Sequence, residues 1–339
     1  MFCRARRSGF GPLWCPEDRR SAPFWAESYW YAMNDIHLKR ESGETAPAVV
    51  ITGATEGIGR CLAEEFARSG HTLLLVARDE SRLALTRVEL VRAHGIRVEI
   101  TSQDLSTIEG CAGVELALRR FGLYADVLVN NAGIMGSGFF QDEELDRVRR
   151  IVDLNIRAVV DLTLRFLPGM IARRRGGVLN IASMMGFMPV PYEASYAASK
   201  AFLISFSKSL SYETMGTGVT VSVITPGAVA TDLHAKAGTN NSYYLNVFPL
   251  MTPETVAQVA YRGFKRGRSV ILPGFLNPLG AFVMRFVPDA LLVPLMGLLF
   301  RIRDEDGNPQ GPGPLPKVDV EPKPAAHRYS PNEPVSPGE

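Results

Sequence analysis

Residues 177–208 read GVLNIASMMGFMPVPYEASYAASKAFLISFSK. The short apolar run at 178–182 predicts a buried strand that ends at Ser183. An apolar loop follows, and the pattern then predicts a helix that carries Tyr196 and Lys200. We take this strand, loop and helix as the unit around which the rest of the chain is organised.

The spacing of Tyr196 and Lys200 suits proton chemistry. Residues four apart on a helix have side chains on one face, one turn apart. A phenol has an unperturbed pKa of about 10, so it is a poor base at neutral pH unless a cation such as Lys200 stabilises the phenolate. Ser183 can then hydrogen-bond the same substrate oxygen as Tyr196. The alternative is that Tyr-x-x-x-Lys is an ordinary pair on an amphipathic helix.

A glycine-rich turn follows the first apolar run of the chain, at residues 48–52. Gly53 permits a tight turn, Gly57 lets a phosphate-bearing ligand approach the backbone, and Gly59 lets the next helix pack on the strand. The N terminus of that helix then presents N–H groups to a pyrophosphate. A glycine turn between a strand and a helix is what a nucleotide-binding sheet requires.

Further motifs follow in the order of such a sheet. The whole set is Thr52-Gly53-Ala54-Thr55-Glu56-Gly57-Ile58-Gly59, Asn130-Asn131-Ala132-Gly133, Asn155, Ser183, Tyr196-Ala197-Ala198-Ser199-Lys200, and Pro226-Gly227 with Thr231. Through these motifs the chain resembles, over residues 48–273, the classical short-chain dehydrogenase/reductase family. The resemblance implies an α/β fold of the Rossmann type, with one doubly wound domain and a parallel seven-stranded sheet in the order 3-2-1-4-5-6-7.

The resemblance also implies reversible hydride transfer between a nicotinamide cofactor and a carbonyl/alcohol pair, without a metal. Tyr196 is the expected proton donor, Ser183 orients the substrate oxygen, and Lys200 holds the nicotinamide ribose and lowers the pKa of Tyr196. Asn155, in the apolar stripe of a helix expected at 143–167, is expected to support a water path to the lysine. The alternative is that helix backbone satisfies the Asn155 amide.

The end of the second strand predicts NADP(H) in preference to NAD(H). An acidic side chain there would bind a ribose 2′-hydroxyl and repel a 2′-phosphate, but this chain has Ala77 and then Arg78. Glu56 stands where many NADP-preferring relatives carry a base, and it weakens the preference. Arg78 is otherwise a plain surface charge. The expected cofactor-binding residues are Gly53, Thr55, Glu56, Gly57, Ile58, Gly59, Arg78, Asp104, Leu105, Asn131, Ala132, Gly133, Tyr196, Lys200, Pro226, Gly227, Val229 and Thr231.

Several residues of that set have a more specific expected role. Asp104 and Leu105 lie beside the adenine in the resembling family, although Asp104 can also cap the following helix. Asn130 is expected to be structural, whereas residues 131–133 are expected to face the cofactor. Thr231 is placed to bind the nicotinamide carboxamide.

The predicted mouth of the site is rich in methionine and aromatic residues, which indicates a lipophilic carbonyl or alcohol substrate such as a steroid, retinoid, fatty-acyl or bulky aromatic ketone. Substrate contacts are expected from Ser183, Met185, Tyr192 and Tyr196. Within the family, the chain most resembles the broad-specificity ketoacyl and hydroxysteroid reductases. One rival hypothesis is a catalytically idle NADPH-binding sensor or scaffold. Another is the extended branch that acts on nucleotide sugars, which has a different glycine spacing.

The composition limits the classes of partner. A formal charge of +2 over 339 residues is close to balance and favours neither nucleic acid nor an acidic partner. The four cysteines show no Cys-x-x-Cys spacing and no clustering with the five histidines, which is typical of reduced thiols in a cytoplasmic protein. The family resemblance implies a homodimer or a homotetramer.

The chain is expected to have four segments. Residues 1–46 are expected to be a disordered extension or a stretch upstream of the native start; the alternative is a basic, aromatic arm that binds a membrane surface or a partner. Residues 47–274 are expected to form the catalytic domain with a substrate lid at 230–252, and 304–339 a disordered proline-rich tail. Residues 275–303 are apolar, but charges interrupt the run, so no transmembrane helix is expected. The stretch 275–300 is a candidate cover of the substrate pocket, dimer contact or peripheral membrane contact.

Overall fold

The computed structural model describes residues 45–233, 244–247, 250–274, 277–284 and 286–301. Nearly all of the predicted N-terminal extension, most of the predicted lid at 230–252 and the predicted tail at 304–339 lie outside the described residues.

The described chain forms a single sheet in which all strands are parallel. The strand order is β3-β2-β1-β4-β5-β6-β7, which confirms the predicted doubly wound Rossmann-type topology. The strands are β1 Ala46–Thr52, β2 Leu73–Ala77, β3 Val98–Ser102, β4 Leu123–Asn130, β5 Gly176–Ile181, β6 Val219–Ile224 and β7 Val270–Ile271.

Helices connect these strands and cover the sheet. Gly95 ends the helix Glu80–His94 in a left-handed conformation at φ +64°. Thr252 caps the helix Pro253–Lys265 by accepting a hydrogen bond from the backbone of Thr255. The helices are α1 Gly57–Arg68, α2 Glu80–His94, α3 Ile108–Arg120, α4 Leu145–Val152, α5 Ala158–Ala172, α6 Ala194–Glu213, α7 Tyr244–Val247, α8 Pro253–Lys265, α9 Asn277–Met284 and α10 Asp289–Leu299.

Alternating residues of β1 show why helices cover both faces of the sheet. Val49 and Ile51 point to one face, where they join a buried cluster with residues of α1, α2 and α8, such as Phe66. Val50 points to the other face and joins a cluster with residues of α3, α5 and α6, such as Phe166. A strand that is buried on both faces must be apolar throughout, as this one is.

Polar side chains tie the carboxyl ends of the central strands together. The Thr52 hydroxyl donates to the Val129 carbonyl at 3.1 Å and accepts from the backbone N–H of Asn131 at 2.9 Å. The Asn130 amide donates to Asn180 Oδ1 at 2.8 Å, which agrees with its expected structural role. These contacts fix the edge of the sheet on which a ligand would rest.

The helix predicted at 143–167 contains a π turn. Helical backbone runs from Leu145 to Ala172: α4 leads into the π turn at Asp153–Arg157, which contains Asn155, and α5 follows.

The apolar segment after β7 forms α9 and α10. Leu292, Met296 and Phe300 are buried against a cluster that includes Tyr196 and Tyr244. Side chains on the opposite side remain exposed, such as Leu279, Phe282, Phe286, Leu291, Leu295 and Leu298. Among the described residues, no helix combines the length and the apolar character needed to cross a bilayer.

Candidate active site

A cavity of about 920 Å³ opens at the carboxyl ends of the strands, where ligands bind in open α/β sheets. It collects most of the site residues expected from the sequence. Gly59, Asn155 and Tyr192 are the expected residues that do not line it. Those that line it are Gly53, Thr55, Glu56, Gly57, Ile58, Arg78, Asp104, Leu105, Asn131, Ala132, Gly133, Ser183, Met185, Tyr196, Lys200, Pro226, Gly227, Val229 and Thr231.

The glycine turn after β1 has the geometry of a phosphate cradle. Gly53 adopts φ +64°, which disfavours any residue with a side chain. A Cβ on Gly59 would lie 2.2 Å from the Gly53 carbonyl oxygen, so Gly59 serves helix packing and has no need to face the cavity. Glu56 precedes α1 but does not cap it, which leaves the backbone N–H groups of the first turn for an anion. The turn therefore fits a dinucleotide pyrophosphate.

Two arginines stand at the other end of the cavity, where an adenosine ribose would lie in this fold. Arg78 is expected from the sequence; Arg82, in the first turn of α2, is not. Arg82 Nη1 lies 2.8 Å from Glu56 Oε2, so the acidic side chain that weakens the NADP(H) preference has a cation beside it. The sequence does not predict this ion pair, because its two residues are 26 positions apart and lie at the starts of two different helices.

Asp104 does not cap the next helix. Thr107 does so instead, accepting from the backbone of Gly110 at 3.0 Å. Asp104 Oδ1 accepts from the Ser106 backbone and hydroxyl, and Oδ2 pairs with Arg150 at 2.9 Å. Although burial opposes the shift, these Ser106 hydrogen bonds and Arg150 lower the pKa of Asp104. Asp104 is therefore an anion that shapes the cavity wall.

The side chain of Asn131 has a structural function in addition to its place on the cavity wall. Its Nδ2 donates to the carbonyls of Thr52 at 2.9 Å and Gly53 at 3.0 Å. Both amide hydrogens are therefore committed to the glycine turn. The cofactor-facing role that the resemblance implies for Asn131 does not extend to its amide hydrogens.

Asn155 is buried, and both the oxygen and the nitrogen of its side-chain amide have hydrogen-bond partners. Its Oδ1 accepts from the Ile134 backbone at 3.0 Å, and its Nδ2 donates to the Ile134 carbonyl at 2.9 Å and to Ser199 Oγ at 3.0 Å. The alternative that helix backbone satisfies this amide is therefore wrong. A Cβ built on Gly133 would lie 3.1 Å from Asn155 Oδ1 and 3.6 Å from Lys200 Nζ, so both side chains flank the same glycine.

Tyr196, Ser183 and Lys200 converge on the cavity. All three are buried, and α6 carries Tyr196 and Lys200 one turn apart. Lys200 Nζ donates to the Ile181 carbonyl at 2.9 Å and lies 5.5 Å from the centroid of the Tyr196 ring. Burial lowers the pKa of Lys200 to about 8.

The phenol of Tyr196 differs from the sequence expectation. Burial raises its pKa above the usual value, the nearby Glu193 carboxylate raises it further, and a hydrogen bond with Ser183 partly offsets the rise. The expectation that Lys200 lowers the pKa of Tyr196 is therefore wrong for these residues as the structure places them. The physical reason is that desolvation dominates and the Lys200 ammonium is directed at Ile181.

Glu193 is a residue whose importance the sequence does not signal. It directly precedes α6 and is buried to 2% exposure. Burial raises its pKa to about 8. An acidic residue at the end of the apolar loop is visible in the sequence, but its burial and its place beside Gly136 and Glu143 in one cavity wall are not.

Tyr192 faces a different space from the one expected. It lines a second cavity of about 290 Å³ together with Gly136, Gly138, Phe139, Phe140 and Glu143. Its backbone is left-handed at φ +69°, an unusual state for a residue with a bulky side chain. The Gly138 N–H donates to the Tyr192 carbonyl at 2.9 Å. The Phe139 ring packs edge-on against the Tyr192 ring, with the ring centroids 5.1 Å apart.

A nucleotide-sized cavity at the switch point of a doubly wound sheet, with a tyrosine, a lysine and a serine at one end, defines a dinucleotide-dependent oxidoreductase. Comparison with known families agrees: the family model described as short chain dehydrogenase matches residues 47–242. The chain belongs to the short-chain dehydrogenase/reductase family, whose members are NAD(P)-dependent oxidoreductases acting on CH–OH groups.

Individual relatives are similar over most of the catalytic domain. Dehydrogenase/reductase SDR family member 7B of Xenopus laevis is 32% identical over 278 residues, which are 78% of this chain and 86% of that protein. A very-long-chain 3-oxoacyl-CoA reductase of Laccaria bicolor is 34% identical over 193 residues, 56% of this chain and 57% of that protein. The structure of a short-chain dehydrogenase from Sphingobium yanoikuyae in complex with NADPH aligns with TM-score 0.63 and 32% identity, covering 72% of this chain and 97% of that one.

Proposed function

We propose that the protein interconverts a carbonyl and a secondary alcohol on a lipophilic substrate, with NADP(H) as the cofactor. The observation that carries this proposal is the convergence of the Tyr196 phenol, the Ser183 hydroxyl and the Lys200 ammonium on one end of the dinucleotide cavity. The bound nicotinamide would supply or accept the hydride.

In the reducing direction, Tyr196 gives a proton from Oη to the carbonyl oxygen of the substrate. The phenol is protonated at neutral pH and so holds the proton to be donated, although a raised pKa makes it a weaker acid than a free tyrosine. Ser183 orients the same oxygen. Its Oγ accepts from the Met185 N–H at 3.2 Å, so its own hydrogen can be donated to the substrate.

Lys200 and Asn155 complete the proposed proton path. A lysine with a pKa of about 8 exchanges protons readily near neutrality, and it can bind the nicotinamide ribose from its place in the cavity. Asn155 positions this path through its bonds to Ile134 and Ser199. Both side chains flank Gly133, which supports a water-borne route between them.

The preference for NADP(H) over NAD(H) rests on charge. Arg78 and Arg82 both line the cavity, and an arginine recognises a phosphate through directed, charge-assisted hydrogen bonds. Arg82 also offsets the negative charge of Glu56. The NADPH complex of the Sphingobium yanoikuyae protein supports the assignment.

A lipophilic substrate is supported by the apolar cluster that packs behind Tyr196. Met185, Tyr244, Met296 and Phe300 are buried in this cluster, and of these four Met185 also lines the cavity. The Tyr244 and Phe300 rings stack at 4.3 Å. Of the three roles open to residues 275–300, a cover over the substrate pocket has this specific support. The similarity to a very-long-chain 3-oxoacyl-CoA reductase agrees with a fatty-acyl carbonyl.

The exposed side of α9 and α10 fits a peripheral contact with a membrane surface by a cytoplasmic protein. Its apolar side chains include Phe282 and Phe286, 62% and 68% exposed, and such side chains bury favourably in a lipid interface. Assembly into a homodimer or homotetramer would use other surfaces. Flotation of the full chain with lipid vesicles tests the membrane contact; a chain that stays with the protein fraction contradicts it.

A panel of lipophilic ketones and alcohols tests the activity, with NADPH and NADH absorbance followed in parallel. The proposal predicts turnover that prefers NADPH and depends on substrate. NADPH binding without turnover on any of the compounds would favour the rival function, a sensor or scaffold. Turnover that prefers NADH would contradict the cofactor assignment and leave the reaction type standing.

A further inference from the structure

The second cavity lies beside the catalytic phenol and has no part in the proposed reaction. Its volume is about 290 Å³ and it is lined by Phe139, Tyr192, Glu143 and Glu193 among others. None of its lining residues belongs to the dinucleotide cavity. A space of this size holds a small organic group.

Two glutamates give this cavity unusual chemistry. Both carboxylate oxygens of Glu193, a residue 2% exposed, lack a hydrogen-bond partner among the residues that the structure describes. Within the same described ranges, Glu143 Oε2 also lacks a hydrogen bond, and Arg147 Nε is 3.9 Å away from it. Buried polar groups are normally paired, because an unpaired one costs free energy.

The position of Glu143 shows that its carboxylate belongs to the cavity wall. Its Oε1 lies 3.2 Å from the point where a Cβ on Gly136 would stand and 3.7 Å from the corresponding point on Gly138. Glycine at both positions therefore leaves room around the carboxylate. Glu193 approaches the same cavity from the start of α6.

Aromatic rings form another part of the wall. Phe139 and Tyr192 meet edge to face with centroids 5.1 Å apart, and Phe140 is beside them. Acceptor oxygens without donors, next to aromatic faces, match a cation that carries N–H groups and an alkyl stem. A neutral alcohol would satisfy one oxygen at most with its single hydrogen.

We propose that the second cavity is a binding site for an alkylammonium group, held between the carboxylates of Glu193 and Glu143 and against the rings of Phe139 and Tyr192. The ammonium can belong to an amino-substituted substrate or to a separate small amine. The left-handed backbone of Tyr192 is then part of the site, since it turns the ring towards Phe139.

Proton linkage gives the site a signature. The pKa of Glu193 is raised to about 8 by burial, so its carboxyl is mostly protonated at pH 7 and must lose that proton when a cation binds. The other ionisable groups beside it are Glu143 and Tyr192 in the wall of the same cavity and Tyr196, whose pKa it raises; Arg147 pairs with Glu143. An alkylammonium keeps its charge to about pH 10. Affinity should therefore rise about tenfold from pH 7 to pH 9, with release of about one proton at pH 7.

The test is a calorimetric titration of the full chain with n-butylammonium chloride, with 1-butanol as the neutral isostere. Binding should be saturable for the ammonium and at least tenfold weaker for the alcohol. E193Q should weaken ammonium binding at least tenfold. E193Q should also lose the rise in affinity between pH 7 and pH 9, which would assign the titration to Glu193 instead of Lys200. E143Q should weaken binding less and keep the pH dependence. E144Q, at an exposed neighbouring glutamate, should bind as the wild type does.

The outcomes are decisive without any measurement of turnover. No saturable binding of butylammonium, equal binding of 1-butanol, or an unchanged affinity in E193Q would overturn the proposal. NADPH affinity and thermal unfolding of each variant show whether its fold is intact. A wild-type chain that binds butylammonium but reduces no ketone would refute only the reductase function. Competition between butylammonium and a ketone substrate would make the ammonium part of the substrate, whereas independent binding would make it a separate ligand; both results support the site.

Discussion

Lys200 Nζ donates a hydrogen bond to the Ile181 carbonyl at 2.9 Å, while the ring of Tyr196 lies 5.5 Å away on the same helix. The lysine thus joins the carboxyl end of β5 to α6. This contact places its ammonium between the sheet edge and the phenol. The account of the site depends on this placement, because it puts a cation with a lowered pKa beside a phenol with a raised one.

Charge reversal at the adenosine end of the cavity should change the cofactor preference. Arg78→Asp and Arg82→Asp should each raise the Kd for NADPH by about tenfold to a hundredfold, because each removes a charged hydrogen bond worth about 1.5–3 kcal/mol. The Kd for NADH should stay within about twofold. Cofactor fluorescence titration measures both. Arg87→Asp, an exposed position on the same helix, is the matched control, and unchanged NADPH affinity in Arg78→Asp would remove that residue from the assignment.

Removal of the Asn155 amide should affect proton transfer as well as stability. Asn155→Ala leaves the Ile134 N–H and carbonyl without their side-chain partner, at a cost of about 1–3 kcal/mol for a buried unpaired group. A positioning role further predicts an altered pH profile of kcat. Asn180→Ala is the control, because this buried amide bonds Asn130 and Ser207 outside the cavity. Equal stability losses with the same pH profile in both variants would reduce Asn155 to a structural residue.

Glu193 should make stability depend on pH. Its folded pKa of about 8 lies above the usual value of 4.5, so between these values the folded state holds a proton that the unfolded state has lost. The stabilising effect is complete below about pH 4.5 and is lost as pH rises to about 8. Over this pH range the free energy of unfolding of Glu193→Gln should therefore increase relative to that of the wild type, by at most about 5 kcal/mol. Denaturant unfolding at pH 5 and pH 8 measures the difference; parallel changes in the two proteins would show that Glu193 ionises normally.

The stacked pair of Tyr244 and Phe300 should determine how well lipophilic substrates bind. Phe300→Ala removes a ring that is 5% exposed and loosens α10 over the site. KM for a bulky ketone should rise roughly tenfold, equivalent to about 1.4 kcal/mol, while the Kd for NADPH is unchanged. Steady-state kinetics measures both, with Phe282→Ala as the exposed control. A wild-type KM in Phe300→Ala would mean that α10 does not cover the substrate.

The sequence predicts the sheet and its ligand-binding edge because both depend on local signals. Apolar runs such as residues 178–182 identify strands, and Gly53 and Gly59 stand where backbone geometry allows almost nothing else. The spacing of Tyr196 and Lys200 correctly predicts a shared helix. These features are properties of short stretches of chain, so no knowledge of distant contacts is needed.

The features that escape sequence analysis depend on contacts between distant stretches. The Arg82–Glu56 pair joins two separate turns, and Glu193 meets Gly136 and Glu143 only in the wall of the second cavity. The pattern of residues 143–167 predicts one helix and does not indicate the π turn at Asp153–Arg157. The pKa of Tyr196 depends on how completely it is buried, and residue spacing cannot report that.

Single-turnover reduction of a ketone by NADPH in Tyr196→Phe tests whether the Tyr196 phenol donates the proton. The substitution removes one oxygen and keeps the ring in its cluster, so NADPH affinity should remain within about twofold of the wild type. Since general acid catalysis typically contributes about 10²–10⁴-fold, the rate of the chemical step should fall by about a thousandfold. A Tyr196→Phe variant that still reduces the ketone at a rate near that of the wild type would contradict the assignment of Tyr196 as proton donor.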